Sequence, residues 1–315
     1  MIENLPLSTT FGVEVRGLSL GAPLDPATRE ALMELWRQHG VLLFRGLGTS
    51  EAALIEVSKW FGELEIHPVN ANLRGDHPEV LDISYHPPES EDDLSQPVYE
   101  VEGRAIASWL PWHSDLVYMP TINHGGILRA IEVPPEGGET GFIDQIAAWE
   151  ALPDRLKQAI EDKYVVYQLN VNMEINRFLP VPARAVKTSS VAEKINKRIA
   201  AGDFPPVAHP MVFEQPGTGR KVLNVSPAFA FGIEGMGEDG DALLHEVIAH
   251  MVRPEFTYFH QWQKDDLVLF DNWRLAHEAA GVPPQHRRSM QRTTIKGDYA
   301  QGRLATTHEG TSLAA

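Results

Sequence analysis

From His67 almost to its end, the chain is a succession of short β-rich runs divided by Pro and Gly, and this constrains its fold most. Residues 80–83, 126–133, 163–171 and 221–225 are rich in Val, Ile and Leu and bounded by turn formers, the signature of strands. Many short strands spaced in this way predict a sandwich or barrel. The Pro-Gly-Thr-Gly run at 216–219 predicts a hairpin joining 211–215 to 221–225. Near the C-terminus, 258–263 is expected to pair with 267–270 around Lys264-Asp265-Asp266, and 289–296 closes the set.

The opening differs in texture. Asp25-Pro26 starts a segment with Leu32, Leu35 and Trp36 at helical spacing, ending at His39-Gly40. A buried strand over 41–44 follows, and Ser50 then caps a second helix carrying Leu54, Val57, Trp60 and Phe61. A further helix is expected over 239–251. Residues 86–104 and 173–206, rich in charge and Pro, read as surface loops or lids near a site. The expectation is a mainly β fold with flanking helices, as one domain over 1–315 with insertions near 86–108 and 173–206.

Composition narrows the chemistry. With 43% apolar and 22% charged residues the chain can bury a substantial core. Its 27 basic and 43 acidic side chains give a formal net charge of −16, which disfavours nucleic acid and anionic membranes as partners and requires local positive charge for any anionic small-molecule substrate. There is no cysteine, so disulfides, zinc-thiolate sites, iron–sulfur clusters and thiol nucleophiles are excluded, and any metal must be held by His, Asp or Glu. No basic segment followed by an apolar run opens the sequence, and a cytoplasmic location is expected.

A redox-active iron that binds a co-substrate, a substrate and oxygen needs two His and one carboxylate on one face, with open positions opposite. His113-Ser114-Asp115 supplies two of these, because residues i and i+2 of a strand project to the same side. The triplet is weak alone: His77-Pro78-Glu79 is similar, and His113 and Asp115 could simply be a hydrogen-bonded pair in a turn. Further on, 270–277 leads into His277, with Arg288 eleven and Arg292 fifteen residues later. On a strand Arg288, Met290, Arg292 and Thr294 share a face, and two buried guanidinium groups require anions to meet them. The alternative is that both arginines pair with acidic side chains on the surface.

Other signals are weaker. His245-Glu246 with His250 has its second histidine at i+5 rather than the i+4 of a zinc-protease helix, and reads as a helix surface. Gly235, Gly237 and Gly240 follow no strand, and no Gly-x-Ser-x-Gly elbow is present.

Taken in order, several blocks resemble the taurine dioxygenase and 2,4-dichlorophenoxyacetate dioxygenase family of Fe(II)/2-oxoglutarate oxygenases. They are Phe61-Gly62-Glu63-Leu64 with Ile66-His67-Pro68-Val69, Trp112-His113-Ser114-Asp115, Gly137-Gly138-Glu139-Thr140-Gly141, Ala148-Trp149-Glu150-Ala151-Leu152, and the stretch from Asp271-Asn272 through His277 to Arg292. The resemblance covers nearly the whole chain. It implies a double-stranded β-helix, a cupin-like jelly roll with helices outside. It implies that His113, Asp115 and His277 hold Fe(II), that Thr140 and Arg288 hold the distal carboxylate of 2-oxoglutarate, and that O2 is consumed with release of succinate and CO2.

Arg292 and His67 match the family's substrate-anion positions. Asn70 stands where taurine dioxygenase has a tyrosine, and Trp109 falls near one of its asparagines. With Leu110, Leu116, Tyr118, Phe229 and Phe231, Trp109 implies a substrate bulkier or more apolar than taurine. Asp115 favours hydroxylation over halogenation, since related halogenases carry a small residue there. A homo-oligomer is in keeping with the family. Two rival readings are a metal-dependent hydrolase using the same triad and a catalytically silent binding or regulatory protein on the same barrel.

Overall fold

The computed structural model describes residues 2–68, 76–89 and 96–306. Eight strands form two facing sheets: β1 (Val80–Tyr85), β2 (Leu110–His113), β3 (Gly125–Glu132), β4 (Thr140–Asp144), β5 (Thr257–His260), β6 (Leu267–Asp271), β7 (Leu275–Ala279) and β8 (Arg288–Ile295). One sheet runs β1-β8-β3-β6 and continues into the strand Val41–Phe44; the other runs β5-β4-β7-β2. All these pairings are antiparallel. Successive strands alternate between the sheets except from β4 to β5, which is the winding of a jelly roll.

Apolar side chains fill the space between the sheets: Leu128 of β3, Phe142 of β4, Val268 and Phe270 of β6, Leu275 of β7 and Met290 of β8 form one buried cluster. Strands in such a position are apolar on both faces, and β6 is buried along its whole length. Its outward face meets two helices, α1 (Pro26–His39) and α2 (Glu51–Phe61). Leu32, Trp36, Leu54 and Val57 pack there against Ile127, Leu267 and Leu269. Asp25 caps α1 by accepting from the Thr28 amide, Gly40 closes it in the left-handed region, and Ser50 caps α2. All three caps stand where the sequence placed them.

The long connection between β4 and β5 covers the other sheet and carries α3 (Ser190–Ala200) and α4 (Gly237–Met251). Residues 173–206 are not an irregular loop: they contain a 3-10 turn at Met173–Ile175, the strand Ala183–Lys187 and α3. That strand joins Val98–Val101 and Arg104–Ala107 in a small sheet, so 86–104 is also partly regular. The hairpin around 216–219 is present, pairing Val212–Glu214 with Lys221–Leu223.

β5 and β6 are neighbours in sequence but lie in different sheets, so the expected pairing of 258–263 with 267–270 is wrong. The intervening corner, with Asp265 at a φ of 65°, hands the chain from one sheet to the other and docks on β3 through Asp265 N–Ala130 O at 2.8 Å. On α4, His245 is exposed as expected, but His250 is buried and bonds the Ala148 carbonyl at 3.0 Å. No helix among the described residues is long and apolar enough to cross a membrane.

Candidate active site

His113 is the last residue of β2, and His277 is its register partner in the middle of β7. Adjacent strands bring the two rings to 4.1 Å between centroids. Asp115 is not on the strand; it stands in the turn after it, so the shared-face expectation for His113 and Asp115 is replaced by a different device. The Asp115 amide donates to Asn272 Oδ1 at 2.7 Å, and Asn272 Nδ2 donates back to the Asp115 carbonyl at 3.0 Å. Leu116 then adopts a φ of 56°, a left-handed conformation that reverses the chain. Ser226 Oγ accepts from the Ser114 amide at 2.9 Å.

The result is a compact donor set. One ligand atom from each of His113, Asp115 and His277 lies within 4.8 Å of the others. Asp115 Oδ1 is 3.8 Å from His113 Nε2, and Oδ2 is 3.6 Å from His277 Nε2. His113 Nδ1 meets the Pro111 carbonyl at 2.8 Å. A carbonyl only accepts, so Nδ1 carries the proton and Nε2 presents a lone pair. Burial lowers the pKa of both histidines, and for His277 the neighbouring His113 adds to it, so both rings are neutral at neutral pH. Burial pushes Asp115 up, but the paired Arg292 guanidinium outweighs it and holds the carboxylate ionised. Two neutral imidazoles and one carboxylate on one side of a cavity fit a divalent metal that keeps open positions.

Arg288 and Arg292, both on β8, are buried and face the same cavity, as the alternation of a strand requires. Their partners differ. Arg292 grips Asp115 with Nη1–Oδ1 at 2.8 Å and Nη2–Oδ2 at 2.7 Å. Arg288 donates to the Gly138 carbonyl at 3.1 Å and reaches Thr140 Oγ1 at 3.5 Å. Among the described residues no carboxylate lies within ion-pair distance of it, and burial pushes it down to about 10. The turn that presents Gly138 to Arg288 needs glycine: φ is +80°, and a Cβ would lie 2.6 Å from Pro134.

The cavity above these groups measures about 310 Å³. Of the substrate-site residues expected from sequence, His67, Trp109, Leu110, Leu116, Tyr118 and Phe229 line it. Phe231 does not, and Asn70 lies outside the described residues. Burial pushes His67 down to about 4, with Arg292 adding to this, so His67 is neutral and offers no positive charge at neutral pH. Sequence reasoning missed the far wall: Tyr99, Leu169, Met173 and, from α3, Val191 and Ile195. It also missed Asn272 and Ser226 as the clamps of the 113–115 turn.

Residues 3–294 match the model of the Taurine catabolism dioxygenase TauD, TfdA family. The chain belongs to this family. It is 27% identical over 304 residues to pentalenolactone F synthase of Streptomyces avermitilis, with 95% of each chain covered. It is 30% identical over 301 residues to the alpha-ketoglutarate-dependent 2,4-dichlorophenoxyacetate dioxygenase of Cupriavidus pinatubonensis, covering 93% of this chain and 97% of that one. The crystal structure of AAD-2 in complex with Mn(II) and N-oxalylglycine superposes with a TM-score of 0.71 at 25% identity, over 96% of this chain and 99% of that one. The TauD, TfdA family member described here is thus an oxidoreductase of the dioxygenase type on a jelly-roll core.

Proposed function

We propose that this chain is an Fe(II)- and 2-oxoglutarate-dependent dioxygenase that hydroxylates a C–H bond of a small to medium organic substrate with an anionic group and an apolar body bulkier than taurine. The observation that carries the reading is the meeting, at one cavity, of the His113, Asp115 and His277 donors with Arg288, a buried cation left without a carboxylate partner among the described residues. Bound there, the ferrous ion supplies activation of O2, coupled to conversion of 2-oxoglutarate to succinate and CO2.

The protein's own residues do the rest. Arg288 and Thr140 receive the distal carboxylate of 2-oxoglutarate, whose charge offsets the cost of burying the guanidinium. Arg292 orients the Asp115 carboxylate and, among the described residues that line the cavity, is the one cationic side chain besides Arg288, placed to attract an anionic group of the substrate. Trp109, Leu116, Tyr118 and Phe229 surround the substrate body and exclude water from the reacting C–H bond. Trp109 and Tyr99 meet edge to face at 6.0 Å, so the two rings pack as one aromatic surface of the cavity.

Succinate formation from 2-oxoglutarate, measured across carboxylates, sulfonates, sulfate esters and aryloxy acids, tests the reading. The expected result is Fe(II)-dependent succinate production stimulated most by an anionic compound with an apolar body. Turnover of a substrate by the triad without 2-oxoglutarate would instead identify a hydrolase, and no turnover with any class would favour a silent binding protein.

A further inference from the structure

Trp262 lies just beyond β5, behind the cavity wall, and is buried. Its Nε1 donates to Thr140 Oγ1 at 3.1 Å. We infer that Trp262 is a positioning residue that fixes the polarity of Thr140, forcing its hydroxyl to donate toward the cavity and so to select a carboxylate over an amide at the distal end of the keto acid. The inference rests on the proposed role of Thr140 in binding 2-oxoglutarate.

A threonine hydroxyl has one proton and two lone pairs. The indole N–H is a donor only, and so is a guanidinium. Trp262 and, more weakly, Arg288 Nη2 at 3.5 Å therefore occupy both lone pairs of Thr140 Oγ1. What remains is the proton. Thr140 faces the cavity and is 3% exposed, so the acceptor for that proton is supplied by the ligand. With Arg288 beside it, the subsite then presents donors alone. A carboxylate satisfies all of them, whereas an amide turns N–H groups against N–H and O–H donors.

Trp262 is itself held in place. His260 meets its ring edge-on at 4.5 Å and 88°. The two nitrogens of His260 are engaged by the Tyr258 hydroxyl at 2.9 Å and Asp266 Oδ2 at 3.1 Å, and Asp266 also accepts from the Gln263 amide at 2.9 Å. This chain of contacts gives the indole one orientation, which is what lets a donor-only group act as a selector.

The test uses the Fe(II)-loaded protein under anaerobic conditions and calorimetric titration with 2-oxoglutarate and with 2-oxoglutaramate, its distal amide. Trp262→Phe should weaken 2-oxoglutarate binding about tenfold, the scale of one hydrogen bond. It should weaken 2-oxoglutaramate less, or strengthen it, because a lone pair of Thr140 is released. Adding Thr140→Val to Trp262→Phe should cost no more than Thr140→Val alone, since the two act as one unit. Should Trp262→Phe not fold, site-specific replacement of Trp262 by 3-benzothienylalanine, which exchanges the N–H for sulfur at constant shape, gives the same comparison. Equal losses for acid and amide, or losses from the two sites that multiply, would overturn the inference. If Thr140→Val alone leaves 2-oxoglutarate affinity unchanged, the proposed 2-oxoglutarate subsite itself is wrong.

Discussion

Replacing Arg288 by methionine should move stability and ligand affinity in opposite directions. In the ligand-free protein the guanidinium is buried without a carboxylate partner among the described residues, and burial pushes it from 12.5 to about 10. At roughly 1.4 kcal/mol per tenfold change in a protonation equilibrium, burying this charge costs about 3 kcal/mol. Methionine keeps most of the side-chain volume and removes that cost, while the hydrogen bond to Gly138 O, about 1 kcal/mol, is lost.

A net gain of about 1–3 kcal/mol remains. With an unfolding entropy near 2.1 cal/mol/K per residue, 315 residues give about 0.66 kcal/mol/K, so the ligand-free melting temperature should rise by roughly 2–5 °C. Binding of 2-oxoglutarate should weaken by at least about 30-fold, the low end for truncating one side of a buried charge pair. Scanning calorimetry with and without 2-oxoglutarate measures both. A variant that melts below the parent without ligand, or that binds 2-oxoglutarate within threefold of it, would refute this reasoning.

Arg274→Met should have the contrary effect on stability. Arg274 is 1% exposed and pairs with Asp144 through Nε–Oδ1 at 2.9 Å and Nη2–Oδ2 at 2.7 Å, so its loss strands a buried carboxylate at a cost of about 3–5 kcal/mol, or roughly 5–8 °C in thermal melts. Adding Asp144→Asn, which removes the charge but keeps the helix cap, should recover part of that loss, and no recovery would contradict the ion-pair account. His209 sets a pH dependence. Burial pushes it down to about 4 against roughly 6.5 when unfolded, so the unfolded chain binds the extra proton and stability falls as pH drops from about 6.5 towards 4. His209→Gln should flatten chemical-denaturation stability over that window by up to about 3 kcal/mol, and an unchanged slope would remove His209 as a cause.

Much of this was legible in the chain because local chemistry decides it. The caps at Asp25 and Ser50, the buried strand after Gly40 and the hairpin around residues 216–219 depend on adjacent residues alone. The donor set was readable because His113, Asp115 and His277 sit in blocks whose order and spacing are specific. What failed was non-local. Nothing in 258–270 says that Asp265 turns the chain into the opposite sheet, since a hairpin and a sheet-crossing corner share the same polar residues. The Asn272 clamp on Asp115 joins residues 157 apart, and no local pattern encodes it. Apart from Leu169, the far wall of the cavity comes from segments whose charge and Pro content read as loop, although Val191 and Ile195 recur at the helical interval of four on α3.

The account depends on His113, Asp115 and His277 sharing one metal ion. Anomalous scattering from crystals of the protein loaded anaerobically with Fe(II), or with Mn(II) as a stand-in, measures that directly. A single peak within bonding distance of His113 Nε2, His277 Nε2 and an Asp115 carboxylate oxygen is the predicted result. A peak elsewhere, or one bonded to only two of the three, would contradict it.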